Sequence, residues 1–192
     1  MTVQLLFGTS VAFGFIAWAV VANLYIWPQL RTRSRIDALR PLLVLHAFRF
    51  IGLSFLVPGV VSPDLPIAFA RDAAYGDIVA AILALAALAT LRSGVGIGLA
   101  CAFNLWGSFD LLNAFYQANA AGLLPCQLGA AYFIPTAIVP LLLITHGLMF
   151  RVLLPSQRRR AVAASNSVTT PTRRAEGVSA RLAQEETTVA VK

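Results

Sequence analysis

The chain has 192 residues, of which 58% are hydrophobic and only 12% are charged. A soluble domain carries about 25% charged residues, so this composition excludes a soluble globular enzyme and a disordered chain. The 15 basic and 8 acidic residues give a net charge of +7, and the mean hydropathy is +0.76. The basic residues lie at the edges of long apolar runs, which indicates a membrane and argues against nucleic acid.

Five apolar runs follow one another along the chain, at residues 3–28, 41–61, 73–91, 95–116 and 128–154. Each is close to or above the ~20 residues that cross a ~30 Å hydrocarbon core. Backbone polar groups in lipid must satisfy one another, and these runs do not alternate as β-barrel strands do, so each is predicted to be a helix. The predicted fold is all-α, a five-helix transmembrane bundle over residues 1–154.

The arginines predict the orientation of this bundle. The first and third connections and the start of the tail carry most of them: Arg31, Arg33, Arg35, Arg40, Arg92, Arg151, Arg158, Arg159 and Arg160. The opposite side has only Arg71, beside Asp64 and Asp72. Positively charged loops stay in the cytoplasm, so the N-terminus is predicted outside and the C-terminus inside a bacterial cytoplasmic membrane.

The tail, residues 155–192, changes composition sharply. It is rich in Arg, Ser, Thr, Ala and Glu and contains no aromatic residue. Such a segment cannot bury enough apolar area to offset its ordering entropy. We therefore expect a disordered, basic cytoplasmic tail.

Ionisable side chains inside the predicted spans are costly, at ~2.5–3.5 kcal/mol each on insertion scales, and need partners or a purpose. Arg49 lies nine residues past Arg40, so about 13 Å deeper, and is expected to pair with Asp77, Asp110 or both. Two carboxylates around one arginine leave a net negative site that can hold a proton or attract a cation. The sequence therefore predicts one cavity at these three residues, with Asn104 and Asn113 on its wall. The alternative is that the ion pair only fixes helix register.

Both histidines, His46 and His146, lie inside predicted spans at similar depth from the arginine-rich side. Such a pair can provide the axial ligands of a haem or a proton relay. Each can instead simply donate a hydrogen bond to a neighbouring carbonyl. The spacing alone does not show whether the two spans are adjacent.

Several stretches occur in an order and spacing that resemble a set of uncharacterised small bacterial polytopic integral membrane proteins. They are His46-Ala-Phe-Arg49 with Gly52, Ala74-Tyr-Gly76-Asp77, Asn104-Leu-Trp-Gly107-Ser-Phe-Asp110, and Ile134-Pro135 through Pro140 to His146. The resemblance covers about residues 40–150. It implies a membrane location and brings no activity, substrate or cofactor.

Three functions remain open at this point. The first is a polar intramembrane site that binds or passes a small ligand, an ion or protons, as in transport. The second is a haem-binding redox protein that uses His46 and His146, and the third is an accessory subunit or homo-oligomer that packs against other membrane proteins. No GxSxG, HExxH or P-loop pattern points to an enzyme, and no Cys/His pattern points to zinc.

Overall fold

The structure is a computed structural model that describes residues 2–154, and the predicted tail lies outside the described residues. The described part is all-helical apart from an isolated bridge between Pro58 and Val61. Its five long helices are each long and apolar enough to cross a membrane. They are α1 (Val3–Leu30), α2 (Arg35–Leu56), α3 (Ile67–Thr90), α4 (Gly94–Ala120) and α5 (Ile134–Leu153). The predicted helical class and the number of long apolar helices are thus confirmed.

Several of the predicted boundaries differ from those observed, and α3 begins at Ile67, six residues before its predicted start. Helix α2 begins before Pro41, because the Ser34 hydroxyl accepts the backbone N–H of Asp37 at 3.2 Å and caps it there. The fifth run is interrupted near its start, where a separate 3₁₀ helix, Pro125–Tyr132, precedes α5. Gly129 within it has φ +52°, a left-handed conformation that interrupts the helical path and that glycine adopts without strain.

The helix that carries Arg49 changes type along its length. Residues Arg35–Ala47 of α2 form an α-helix, and Phe48–Leu56 form a 3₁₀ helix. A 3₁₀ helix has three residues per turn, so Arg49, Gly52 and Phe55 lie on one line, and all three are buried. This register turns Arg49 toward α3 and α4.

Two prolines shape the start of α5. Residues Ile134–Ile138 form a π-helical turn, and Pro140 has no N–H to donate to the carbonyl of Thr136. The Ala137 carbonyl in this turn accepts a hydrogen bond from Trp18 Nε1 of α1 at 2.9 Å. Gly14 packs directly against the Thr136 carbonyl. The irregular turn therefore provides the surface on which α1 rests.

The interior has an apolar cluster toward each end of the bundle. One contains Leu39, Leu43, Leu91, Phe103 and Met149, and the other contains Phe55, Leu65, Leu111, Leu128 and Leu142. Along each of α2 to α5, the buried polar residues other than Thr136 lie between the members of these two clusters: His46 and Arg49, Asp77, Asn104, and Thr145 and His146. The fold thus encloses a polar layer within an otherwise apolar core.

Candidate functional site

Arg49 joins three helices at the centre of the polar layer. Its Nε donates to Asp77 Oδ1 at 2.6 Å, and its Nη2 donates to Asp110 Oδ2 at 2.5 Å. Its Nη1 donates to the Gly107 carbonyl at 3.3 Å. The Arg49 residue is only 1% exposed. The predicted pairing of Arg49 is confirmed with both carboxylates, which the planar guanidinium reaches through different nitrogens.

The two carboxylates occupy space that glycines leave free. A Cβ on Gly52 would overlap the carboxylate of Asp77, and a Cβ on Gly76 would overlap that of Asp110. A Cβ on Gly107 would lie 2.6 Å from His146 Cε1 and 2.7 Å from Arg49 Nη1, which is closer than Cβ atoms approach other groups. Three glycines therefore permit the close approach of four polar side chains.

A cavity of about 340 Å³ begins at this cluster and is lined by Asp77 and Asp110. This volume is at the small end of the range for ligand pockets, about 300–1,000 Å³. Most of its wall is apolar and includes four phenylalanines, Phe7, Phe55, Phe69 and Phe115. Within residues 2–154, no lysine or arginine lines this cavity, since Arg49 is behind the carboxylates. The predicted meeting of Arg49, Asp77 and Asp110 thus has an adjoining cavity.

Asp110 also lines a second, narrow crevice, of about 10 Å³, close to the volume that one water needs. The crevice is polar, with Asp72, Asn113 and Gln117 on its wall. Asp72 lies near the beginning of α3 and Gln117 near the end of α4. Asp110 is therefore the carboxylate with two environments, an apolar cavity and a polar crevice at the helix ends.

The structure separates the two asparagines that were expected on one cavity wall. Asn113 lines the crevice and not the main cavity, and Asn104 lines neither. Asn104 is fully buried, with its Oδ1 2.8 Å from His146 Nδ1. The expectation that both asparagines are on the cavity wall is corrected here. Asn104 lies almost two turns before Asp110 on α4, and this places it on the side of Arg49 that faces away from the cavity.

His46 and His146 are adjacent, with ring centroids 4.2 Å apart and planes tilted by 40°. His46 Nε2 lies 3.0 Å from Thr145 Oγ1, whose hydroxyl also reaches the Leu141 and Leu142 carbonyls at 2.9 Å. The one proton of Thr145 thus has three acceptors within reach, and the tautomer of His46 sets the direction of its hydrogen bond with Thr145. His46 Nδ1, His146 Nε2 and Asn104 Nδ2 are buried and have no hydrogen-bond partner among residues 2–154.

This arrangement does not fit a haem held by both histidines. Two axial ligands must approach the iron from opposite faces of the porphyrin, whereas these rings lie in contact with each other. A proton path between the carboxylates and the histidines also meets an obstacle. Arg49 lies between them, and a guanidinium offers only donors and no acceptor atom through which a proton could be relayed. The histidine cluster is therefore chemically separate from the two carboxylates.

Sequence reasoning missed three parts of the site. The glycines stood in the same motifs as Arg49, Asp77 and Asp110, but the sequence did not show that they make room for the carboxylates. The phenylalanine wall had no signal, because phenylalanines occur throughout the apolar runs. Thr145 was detectable only as the neighbour of His146, and its contact with His46 depends on the packing of α2 against α5.

The fold and site define a class: a bundle of five long apolar helices with a buried Arg–Asp–Asp cluster and an adjoining cavity. Residues 6–154 match the family model described as a domain of unknown function, DUF8737, and the chain belongs to this family. No curated protein and no solved structure matches the chain.

Proposed function

We propose that this protein is an integral membrane protein that binds a small molecule in the cavity beside Asp77 and Asp110. Of the ligands, ions and protons that a polar intramembrane site can handle, the cavity favours a molecule. A proton or a bare ion requires polar lining, whereas four aromatic rings and many aliphatic side chains line this space. The single observation that carries the proposal is this apolar cavity ending on two carboxylates.

The surface of the bundle supports a membrane location. Large apolar side chains are exposed along the helices, among them Phe13 at 67%, Phe109 at 64% and Tyr116 at 71%. Soluble monomers rarely expose contiguous apolar patches of more than a few hundred Å². Lipid is the solvent in which such helices are stable, so the bilayer is the first partner of this protein.

The distribution of arginine supports an orientation with the N-terminus outside and the C-terminus in the cytoplasm. Arg31, Arg33, Arg35 and Arg92 are exposed in the connections or at helix ends on one side. Arg151, near the end of α5, lies over the Trp27 ring at 4.1 Å, which joins α5 to α1 on that same side. The cavity lies toward the other side, beside Gln4 and Pro125.

Cysteine labelling tests this orientation. Cys126 is exposed in the 3₁₀ helix before α5, on the proposed outer side. In a Cys101→Ser background, a membrane-impermeant maleimide should label Cys126 in intact spheroplasts. The matched control is Arg33→Cys in a chain without Cys101 and Cys126, which should react only after permeabilisation. Labelling with the opposite preference would contradict the orientation.

Filling the cavity tests the binding function. The neutral apolar fluorophore N-phenyl-1-naphthylamine should bind the detergent-purified protein, with fluorescence above the micelle background. Ala118→Trp places a large ring in the cavity and should remove this excess, because Ala118 is on its wall. Ala102→Trp is the control, since Ala102 is exposed on the same helix and is not among the cavity-lining residues. Equal fluorescence from both variants and wild type would show that the cavity binds nothing.

A further inference from the structure

The charges around the cavity do not balance. Asp77 and Asp110 each form an ion pair with the same residue, Arg49, and these are the ion pairs that residues 2–154 contain. One guanidinium offsets one carboxylate, so the cluster carries one negative charge in excess. The excess lies at the cavity, because both carboxylates line it and Arg49 does not.

The two carboxylates differ in their access to the cavity. The Asp77 side chain is 10% exposed, and its Oδ2 packs against Gly52. The Asp110 side chain is 14% exposed and faces both the cavity and the polar crevice. Asp110 is therefore the better placed to receive a group from a bound molecule.

The aromatic wall of the cavity favours a positively charged ligand, as the two carboxylates do. Phe7, Phe55, Phe69 and Phe115 line the cavity, and the Phe55 and Phe69 rings form an edge-to-face pair with centroids 5.8 Å apart. The face of an aromatic ring attracts a cation within about 6 Å, and aromatic walls are the common means of recognising alkylated ammonium groups. Apolar volume, aromatic faces and one excess negative charge together match one chemical class.

We infer that the cavity selects a small apolar molecule with a single positive charge, such as a substituted ammonium, whose charged group lies against Asp110. The inference rests on the proposed binding function and names its substrate class. A free molecule is favoured over the choline headgroup of a lipid. The phosphate of such a headgroup would enter a space to which the described part of the chain contributes two carboxylates and no basic side chain.

Competition against N-phenyl-1-naphthylamine tests the inference with a matched pair of probes. Benzyltrimethylammonium and neopentylbenzene have nearly the same shape and differ only at one central atom, a positively charged nitrogen in the first and a neutral carbon in the second. We expect the cation to displace the fluorophore from wild type at a concentration about tenfold lower than the neutral probe. Dodecylphosphocholine should show no comparable advantage over dodecyl maltoside.

Two variants locate the origin of this selectivity. Asp110→Asn should remove most of the advantage that the cation has over neopentylbenzene when both probes are compared on the same variant. Phe115→Leu removes an aromatic face without touching the ion pairs, so it keeps the test valid if Asp110→Asn fails to fold, and it should reduce the advantage in part. Equal potency of the two probes on wild type would overturn the inference, and it would mean that a proton on one aspartate already balances the site. In that case fluorophore binding would persist, whereas loss of fluorophore binding itself would contradict the proposed function.

Discussion

Arg49→Ala should destabilise the protein more than any other single arginine substitution in the bundle. The variant leaves Asp77 and Asp110 facing each other without a counter-charge, at 10% and 14% side-chain exposure. Breaking a buried ion pair by removing one partner costs about 3–5 kcal/mol, and here two pairs are lost. We expect a large fall in the yield of monodisperse protein and unfolding at a much lower fraction of SDS in mixed micelles.

Arg92→Ala is the matched control for this experiment. Arg92 is exposed in the connection between α3 and α4, where a lost charge costs about 0–1 kcal/mol. Arg49→Lys adds a graded comparison, because an ammonium is a point charge that cannot hold two carboxylates through separate nitrogens in one plane. The stability of Arg49→Lys should therefore lie between that of wild type and that of Arg49→Ala. If Arg49→Ala and Arg92→Ala unfold alike, the cluster contributes no stability.

Adding one methyl group at Gly52 or Gly76 should have the second-largest effect. Alanine at Gly52 would overlap the Asp77 carboxylate, and alanine at Gly76 would overlap that of Asp110. Either aspartate must then move away from Arg49, so the cost combines overpacking, about 1–3 kcal/mol, with a weakened buried ion pair. Chemical denaturation in micelles should show both variants clearly less stable than wild type.

Gly98→Ala separates this effect from the general properties of alanine in helices. A Cβ on Gly98 would meet no atom of residues 2–154 within 4 Å, and Gly98 lies inside α4. Alanine is a better helix former than glycine by about 1 kcal/mol, so this variant should be as stable as wild type or more stable. A comparable loss in Gly98→Ala would show that the glycines are needed for helix conformation and not for the carboxylates.

Much of the site was predictable from the cost of burying charge. Only one basic residue, Arg49, lies deep in the apolar runs, so Asp77 and Asp110 had one available partner. The face of α3 was also predictable, because Ala73, Asp77, Ala80, Ala81 and Ala84 recur at helical spacing, and all are buried. The direction in which the Asn104 side chain points was not predictable, since helical spacing places Asn104 near both the carboxylates and the histidines.

Composition and hydropathy alone determined that the chain forms five long apolar helices, because a backbone in an apolar solvent must satisfy its own hydrogen bonds within each run. The same reasoning determined that Arg49 must have an acidic partner. Only the tertiary structure decided that the partner is two aspartates, that three glycines leave room for them, and that His46 contacts His146. These outcomes depend on the 3₁₀ segment of α2 and the π-helical turn of α5, which rotate their helices by amounts that a regular period of 3.6 residues does not predict.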